Sequence, residues 1–240
     1  IAGYDVTVID PRQAFATEGY DGAATRRESE GSRTMLTLWG RANSVNVQKV
    51  VWMLAELGIP HQRIDAGMKF GVNDTPEYKA MNPNGLIPTI DDDGYVLWES
   101  NVILRYLAAK HAAGTLYPAD AGDRFHAEQW MDWQATTLMP PINVVFLGLI
   151  RTPPEKRDMA ALDAAKAKAE AAFAILDAHL AGRAYMLGDT FTMADVAVGT
   201  AANRWSRIPT ERAPRPEVER WLATLAGRPA FAAHLATPLS

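Results

Sequence analysis

The stretch "LTLWGRANSVNVQKVVWMLAELGIPHQRIDAG", Leu36 to Gly67, constrains the fold more tightly than any other part of the chain. A short apolar run ends at Trp39-Gly40 and a polar loop follows. From Ser44 onward Val47, Val50, Val51, Leu54 and Leu57 recur at three and four residues, the spacing of one helix face. Gly58 and Pro60 stop that helix, with Gly near the C-cap and Pro just beyond. "PHQRIDAG" is then a second extended run. Two strands joined through a helix pair in parallel with a right-handed crossover, so the stretch predicts a βαβ unit.

The segments that follow extend the unit. "TPEYKAMNPNG" predicts a short helix and a turn, and "LIPTIDDDGYVLWES" predicts two strands around the "DDDG" hairpin turn. "SNVILRYLAAKH" predicts an amphipathic helix with Ser100 as its N-cap. The order βαβαββα is that of a thioredoxin-like α/β domain, here over residues 35–111. Residues 112–123, "AAGTLYPADAGD", read as a linker. Helical patterns then cover Arg124–Leu138, Glu155–Ala181, Met193–Ser206 and Pro216–Leu225, which predicts an all-helical domain over residues 124–240. Residues 1–34 stand apart as an N-terminal extension. "GYDVTVIDPRQAFAT" reads as one strand ending in an acidic turn, and the polar, Gly/Ser-rich "EGYDGAATRRESEGSRT" as a mobile tail.

Composition narrows the function classes. A net charge of -4 leaves no basic footprint for nucleic acid, so no nucleic-acid partner is expected. The apolar run "LMPPINVVFLGLI", Leu138 to Ile150, is too short to cross a bilayer and is expected to break at Pro140 and Pro141, so no membrane span is predicted. The opening residues do not read as a signal peptide, which makes the cytoplasm the expected compartment and the Asn73 sequon an accident. The chain has no cysteine. Disulfides, thiolate metal sites and a cysteine nucleophile are therefore excluded, and no metal site is expected.

Thioredoxin-like redox enzymes hold a cysteine at the start of the first helix, where unpaired N–H groups and the helix dipole favour a thiolate. Here Asn43, Ser44 and Asn46 occupy that region. Any thiolate must come from a ligand, hydrogen-bonded by a hydroxyl or amide at the helix start. A thiol with a pKa near 8.5 is only about 3% ionised at pH 7, and lowering the pKa by about two units takes about 2.7 kcal/mol. One charge-assisted hydrogen bond contributes about 1.5–3 kcal/mol, and a helix N-terminus adds about 0.3–1 kcal/mol. The two together suffice. A plain capping role for Ser44 or Asn46 is the alternative.

Two further motifs sit at matching places. In "NPNGLIPTI" a cis Ile87-Pro88 bond would turn the backbone of Ile87 outward, leaving its N–H and C=O to pair with an extended peptide ligand; a trans bond would leave a plain turn. In "WESN" the Ser100 hydroxyl and nearby N–H groups would receive a carboxylate, and Glu99 an ammonium. Carboxylate and ammonium together form the α-amino-acid end of a ligand. A cap beside a solvated glutamate is the alternative.

From Met35 to Ser240 the chain resembles the cytosolic glutathione transferases, and most of all the bacterial members with a serine-type first helix, related to the theta class. The matching pieces are "LWGRANSVNVQKV", "NPNGLIPTI", "LWESNVILRYLA" and "GDTFTMADVAV". The resemblance implies glutathione as co-substrate and Ser44 as the donor to its thiolate, with Asn46 as the fallback. It implies Ile87 paired with the cysteinyl backbone, Pro88 as the cis-proline, and Glu99 with Ser100 on the γ-glutamyl end. Many relatives carry a lysine or glutamine where this chain has Leu86, which leaves the glycyl carboxylate to Lys69 or Asn73. A homodimer is also implied. The first 15 residues resemble a strand of xanthine dehydrogenase accessory factors, with Asp10 in the ribose-contacting position.

In the helical part, Trp130, Trp133, Thr137 and Trp205 are the residues expected to line a second-substrate pocket between the domains, suited to a hydrophobic electrophile. Most aromatics at helical spacing are core. "FTMAD" predicts a capping box of Thr192 and Asp195, with Phe191 and Val196 as a hydrophobic staple. The expected function is glutathione conjugation. A non-catalytic binding module of the same fold stays open, as does a glutathione-dependent peroxidase, isomerase or dehalogenase.

Overall fold

The computed structural model describes residues 6–9 and 35–239. Its contacts divide into two compact units at Tyr106/Leu107, inside a helix and ahead of the boundary at 111 expected from sequence.

The first unit is built on a sheet of β1 (Val6–Ile9), β2 (Leu36–Trp39), β3 (His61–Ile64), β4 (Thr89–Asp92) and β5 (Tyr95–Trp98), in the order β1-β3-β2-β4-β5. The βαβ expectation holds: β2 and β3 are parallel and joined through α1 (Val45–Glu56). Val47, Val50 and Leu54 on α1 are fully buried, as their spacing requires. The helix ends in a Schellman arrangement. Ile59 N–H donates to the Leu54 carbonyl and Gly58 N–H to that of Ala55, with Gly58 at a φ of 62°. Gly40 lets β2 turn tightly against this helix, because a Cβ there would lie 2.4 Å from Val47 Cγ2.

α2 (Pro76–Met81) is capped by Thr75, whose hydroxyl accepts from Tyr78 N–H. β4 and β5 form the expected hairpin, with Asp93 and Gly94 both in the left-handed region (φ 58° and 83°) as a type I′ turn demands. α3 (Ser100–His111) follows directly. The strand expected near the N-terminus is present as β1. It pairs in parallel with β3, Val6 opposite His61, as one of the two edge strands of the sheet. Residues 1–5 and 10–34 lie outside the described residues, Asp10 among them.

The second unit is helical: α4 (Ala121–Trp133), α5 (Met139–Phe146), α6 (Met159–Leu180), α7 (Met193–Arg207), α8 (Pro216–Ala226) and α9 (Pro229–Leu235). Pro140 and Pro141 do not break their helix as expected. A π-turn at Gln134–Leu138 widens the backbone just before them, where the proline rings would otherwise press on the preceding turn. With a second π-turn at Leu147–Arg151, one helix runs from Ala121 to Arg151. That helix is long and apolar enough to cross a bilayer, a length hidden from sequence by the two prolines; its inward face packs on α6 and α7. Helix α6 starts at Met159 rather than Glu155, with Asp158 as its cap.

Helix α7 is buried on nearly every side. Thr192 and Asp195 form the expected capping box. Phe191, expected to staple onto Val196, has its ring against Tyr185 and under the Arg228 guanidinium. The Asp195 carboxylate, wholly buried, accepts from Met186 N–H and Thr192 N–H at 2.9 Å and from Trp221 Nε1 at 3.0 Å. Burial pushes its pKa up to about 6. This carboxylate ties the loop before α7 to α8. Asp195→Ala orphans three buried donors and is expected to cost about 3–5 kcal/mol in denaturant unfolding; a cost below about 1 kcal/mol would remove it from the framework.

Candidate functional site

Register gathers the sequence-predicted residues of the first unit. Trp39 at the end of β2 lies opposite Thr89 at the start of β4, Thr89 lies opposite Trp98 at the end of β5, and Trp39 is level with Ile64 at the end of β3. One end of the sheet therefore emits the loop to Ser44, receives the chain from Ile87-Pro88, leads into Glu99-Ser100, and opens the loop holding Lys69.

Ser44 is the N-cap residue of α1. Its carbonyl accepts from Gln48 N–H at 2.8 Å and its own N–H donates to the Arg41 carbonyl. Its hydroxyl makes no capping bond, although the residue is only 8% exposed. The capping explanation for this serine does not apply. Asn46 is half-buried in the first turn of the helix.

The Ile87-Pro88 peptide bond is cis. Among the described residues, the N–H and C=O of Ile87 enter no main-chain hydrogen bond. The loop before it is pinned from below. Buried Tyr78 donates through Oη to the Leu86 carbonyl at 2.6 Å and lies 2.8 Å from Thr89 Oγ1, while Asn82 Nδ2 donates to both of these acceptors. Burial raises the Tyr78 hydroxyl pKa to about 12. The Leu86 side chain is 64% exposed. Asn73, a sequence candidate for a carboxylate, donates from Nδ2 to the Gly85 carbonyl at 2.7 Å, so it too helps hold the loop. Lys69 is exposed, its ammonium over the Phe70 ring.

Ser100 was expected to cap α3. The structure places Glu99 in the cap position instead: its carbonyl accepts from Ile103 N–H at 2.9 Å, and Ser100 is the first helical residue. Glu99 is exposed with φ 71°, a strained backbone for a non-glycine residue. The left-handed Glu99 turns the chain directly from β5 into α3, so the helix already begins at Ser100.

Two residues at this end were not singled out from the sequence. Arg41 carries a guanidinium beside Gly67 and Ile87, since a Cβ on Gly67 would meet Arg41 Nη1 at 2.9 Å and Ile87 Cδ1 at 3.1 Å. Its signal was a basic residue in the polar loop "GRANS". Lys49, on α1, is 2% exposed and donates from Nζ to Ser100 Oγ at 3.3 Å and Asn101 Oδ1 at 3.0 Å.

In the second unit, Trp130 meets Trp133 edge to face at 5.0 Å and the His179 ring at 4.2 Å, and both tryptophans are half-buried. Thr137 is exposed in the π-turn. Trp205 is a core ring, 4% exposed and stacked on Phe173, so it is not available to a pocket as expected.

A thioredoxin-like sheet with an all-helical unit after it, and polar groups gathered at one sheet end, define the class to which the comparisons point. The profile for "Glutathione S-transferase, N-terminal domain" matches residues 43–110, and that for "Glutathione S-transferase, C-terminal domain" matches residues 159–236. The chain is similar to Glutathione S-transferase GstB of Escherichia coli K12, 43% identical over 208 residues that make up 86% of this chain and 100% of that protein. Glutathione S-transferase 3 of Zea mays is 32% identical over 82% of this chain and 91% of its own length. The crystal structure of a theta class glutathione S-transferase from Xanthomonas axonopodis pv. citri, with glutathione bound, superposes with a TM-score of 0.83 at 41% identity, over 86% of this chain and 99% of that one. The chain belongs to the glutathione S-transferase family.

Burial pushes the Lys49 ammonium down from 10.5 to about 7, with the Glu99 carboxylate opposing the shift. Between those values the unfolded chain keeps a proton that the folded chain has released. Unfolding then takes up a proton, so this lysine makes stability rise with pH from about 7 to about 10. Unfolding free energies of wild type and Lys49→Met are expected to converge toward high pH within this window; a difference that does not change with pH would contradict the burial of the charge.

Proposed function

We propose that the protein conjugates glutathione to a hydrophobic electrophile, with Ser44 stabilising the glutathione thiolate. The observation that carries this reading is the Ser44 hydroxyl, nearly buried at the start of α1 and not spent on the cap. Around it, at the same end of the sheet, stand the Ile87 main chain, Pro88 and the Glu99-Ser100 turn. An extended peptide pairing with Ile87 N–H and C=O would send its amino-acid end toward Ser100 and Glu99 and its thiol toward Ser44.

On this reading the thiol loses its proton to solvent, and the sulfur is held as an anion by the Ser44 O–H and the helix N-terminus, with Asn46 as the second donor. The thiolate then attacks an electrophilic carbon, forming a C–S bond as the leaving group departs with the displaced electron pair. The glycyl carboxylate falls to Arg41 or Lys69, because the Asn73 amide already serves Gly85. Trp130 and Trp133 offer apolar surface to the second substrate. A cytoplasmic homodimer accompanies this reading through family membership.

The exposed, apolar Leu86 supports a second reading, in which glutathione is held weakly and the fold serves as a binding module. Steady-state kinetics with glutathione and a chloronitrobenzene test the choice. Ser44→Ala is expected to lower kcat/KM by about 10²-fold or more. Unchanged kinetics in that variant would move the role to Asn46 or the backbone, and no wild-type turnover across a panel of electrophiles would favour the module.

A further inference from the structure

Lys49 poses a problem that the proposed function does not absorb. It is 2% exposed on α1, about one and a half turns beyond Ser44. Its ammonium contacts Ser100 and Asn101, the first two residues of α3, where the positive end of the helix dipole opposes a cation. Burial and dipole both work against the charge, the Glu99 carboxylate offsets them only in part, and a leucine or methionine would satisfy the core at less cost. What a lysine supplies here and an apolar residue cannot is a hydrogen-bond donor.

The Ser100 hydroxyl has one proton and two lone pairs. Lys49 Nζ donates to its oxygen, and Asn101 Oδ1 fixes the ammonium from the side. With one acceptor site taken from within, Ser100 still has its hydroxyl proton to offer a ligand at this end of the sheet.

We propose that Lys49 is a positioning residue for the γ-glutamyl carboxylate of glutathione: it orients the Ser100 hydroxyl as a donor to that carboxylate and places a positive group behind it. This rests on the glutathione reading of the site. Lys49 does not touch the ligand; it acts through Ser100, with Asn101 holding it in place.

The test compares Lys49→Met with wild type on three thiols, by KM and by competitive inhibition: glutathione, γ-glutamylcysteine, which keeps the γ-glutamyl carboxylate, and cysteinylglycine, which lacks it. The variant is expected to bind the first two about 10-fold or more weakly, the loss of one charge-assisted interaction. Cysteinylglycine should change by less than about twofold, and kcat at saturating glutathione by less than about threefold. Equal losses on all three thiols would reduce Lys49 to a packing role, and no loss on any would remove it from the site. If Lys49→Met does not fold, Lys49→Gln carries the same comparison. Its neutral amide keeps a donor without the charge, so a smaller loss confined to the two γ-glutamyl thiols supports the proposal and an even loss overturns it. A wild type that does not distinguish glutathione from cysteinylglycine would overturn the glutathione reading itself, a result separate from any failure of Lys49.

Discussion

The antiparallel ladder between β2 and β4 is the constraint on which the rest of the site depends. Trp39 opposite Thr89 sets the register, and Thr89 opposite Trp98 carries it to β5. Side chains alternate across a sheet, so a slip of one residue would turn Ile90 out of the core and displace the Ile87-Pro88 loop from Ser44. The register is locked from one side by Tyr78 and Asn82, which tie the Thr89 hydroxyl to the Leu86 carbonyl. A buried hydrogen-bonded network of this kind fixes a loop more sharply than apolar packing does, because each unmade bond carries a full desolvation cost.

With the ends aligned, two helix N-termini, those of α1 and α3, start from the same end of the sheet. Each presents unsatisfied N–H groups and a positive dipole end, and each carries a serine hydroxyl. Such a site favours anions without a cationic side chain at its centre, which suits a peptide that brings both a thiol and a carboxylate. Lys49 runs between the two helices inside the domain and couples them, since it belongs to α1 and bonds to α3. The chain needs no cysteine to handle a thiolate, provided the ligand brings the sulfur.

Much of this was legible in the residues because it is local. The helix period of α1, the Asp93-Gly94 turn and the Thr192/Asp195 capping box each follow from neighbours a few positions apart, and each is present. Features set by distant contacts were not legible. Lys49 reads as a solvated helix residue until α3 covers it, and Arg41 reads as loop until Gly67 and Ile87 come beside it. The prolines at 140 and 141 signal a break, yet tertiary packing and a π-turn carry the helix through. Helix α9 was missed because "PAFAAHL" is too short for a periodic pattern. The Ser100 cap failed by one residue through the positive φ of Glu99, which the sequence does not announce for a glutamate.

The central claim is that this domain lowers the pKa of a bound thiol at the start of α1. Ultraviolet absorbance of the thiolate in the glutathione complex, followed from about pH 5 to pH 9, measures it directly. The account predicts an apparent thiol pKa at least about one unit below the free value near 8.5. Bound glutathione that titrates like the free thiol would contradict it.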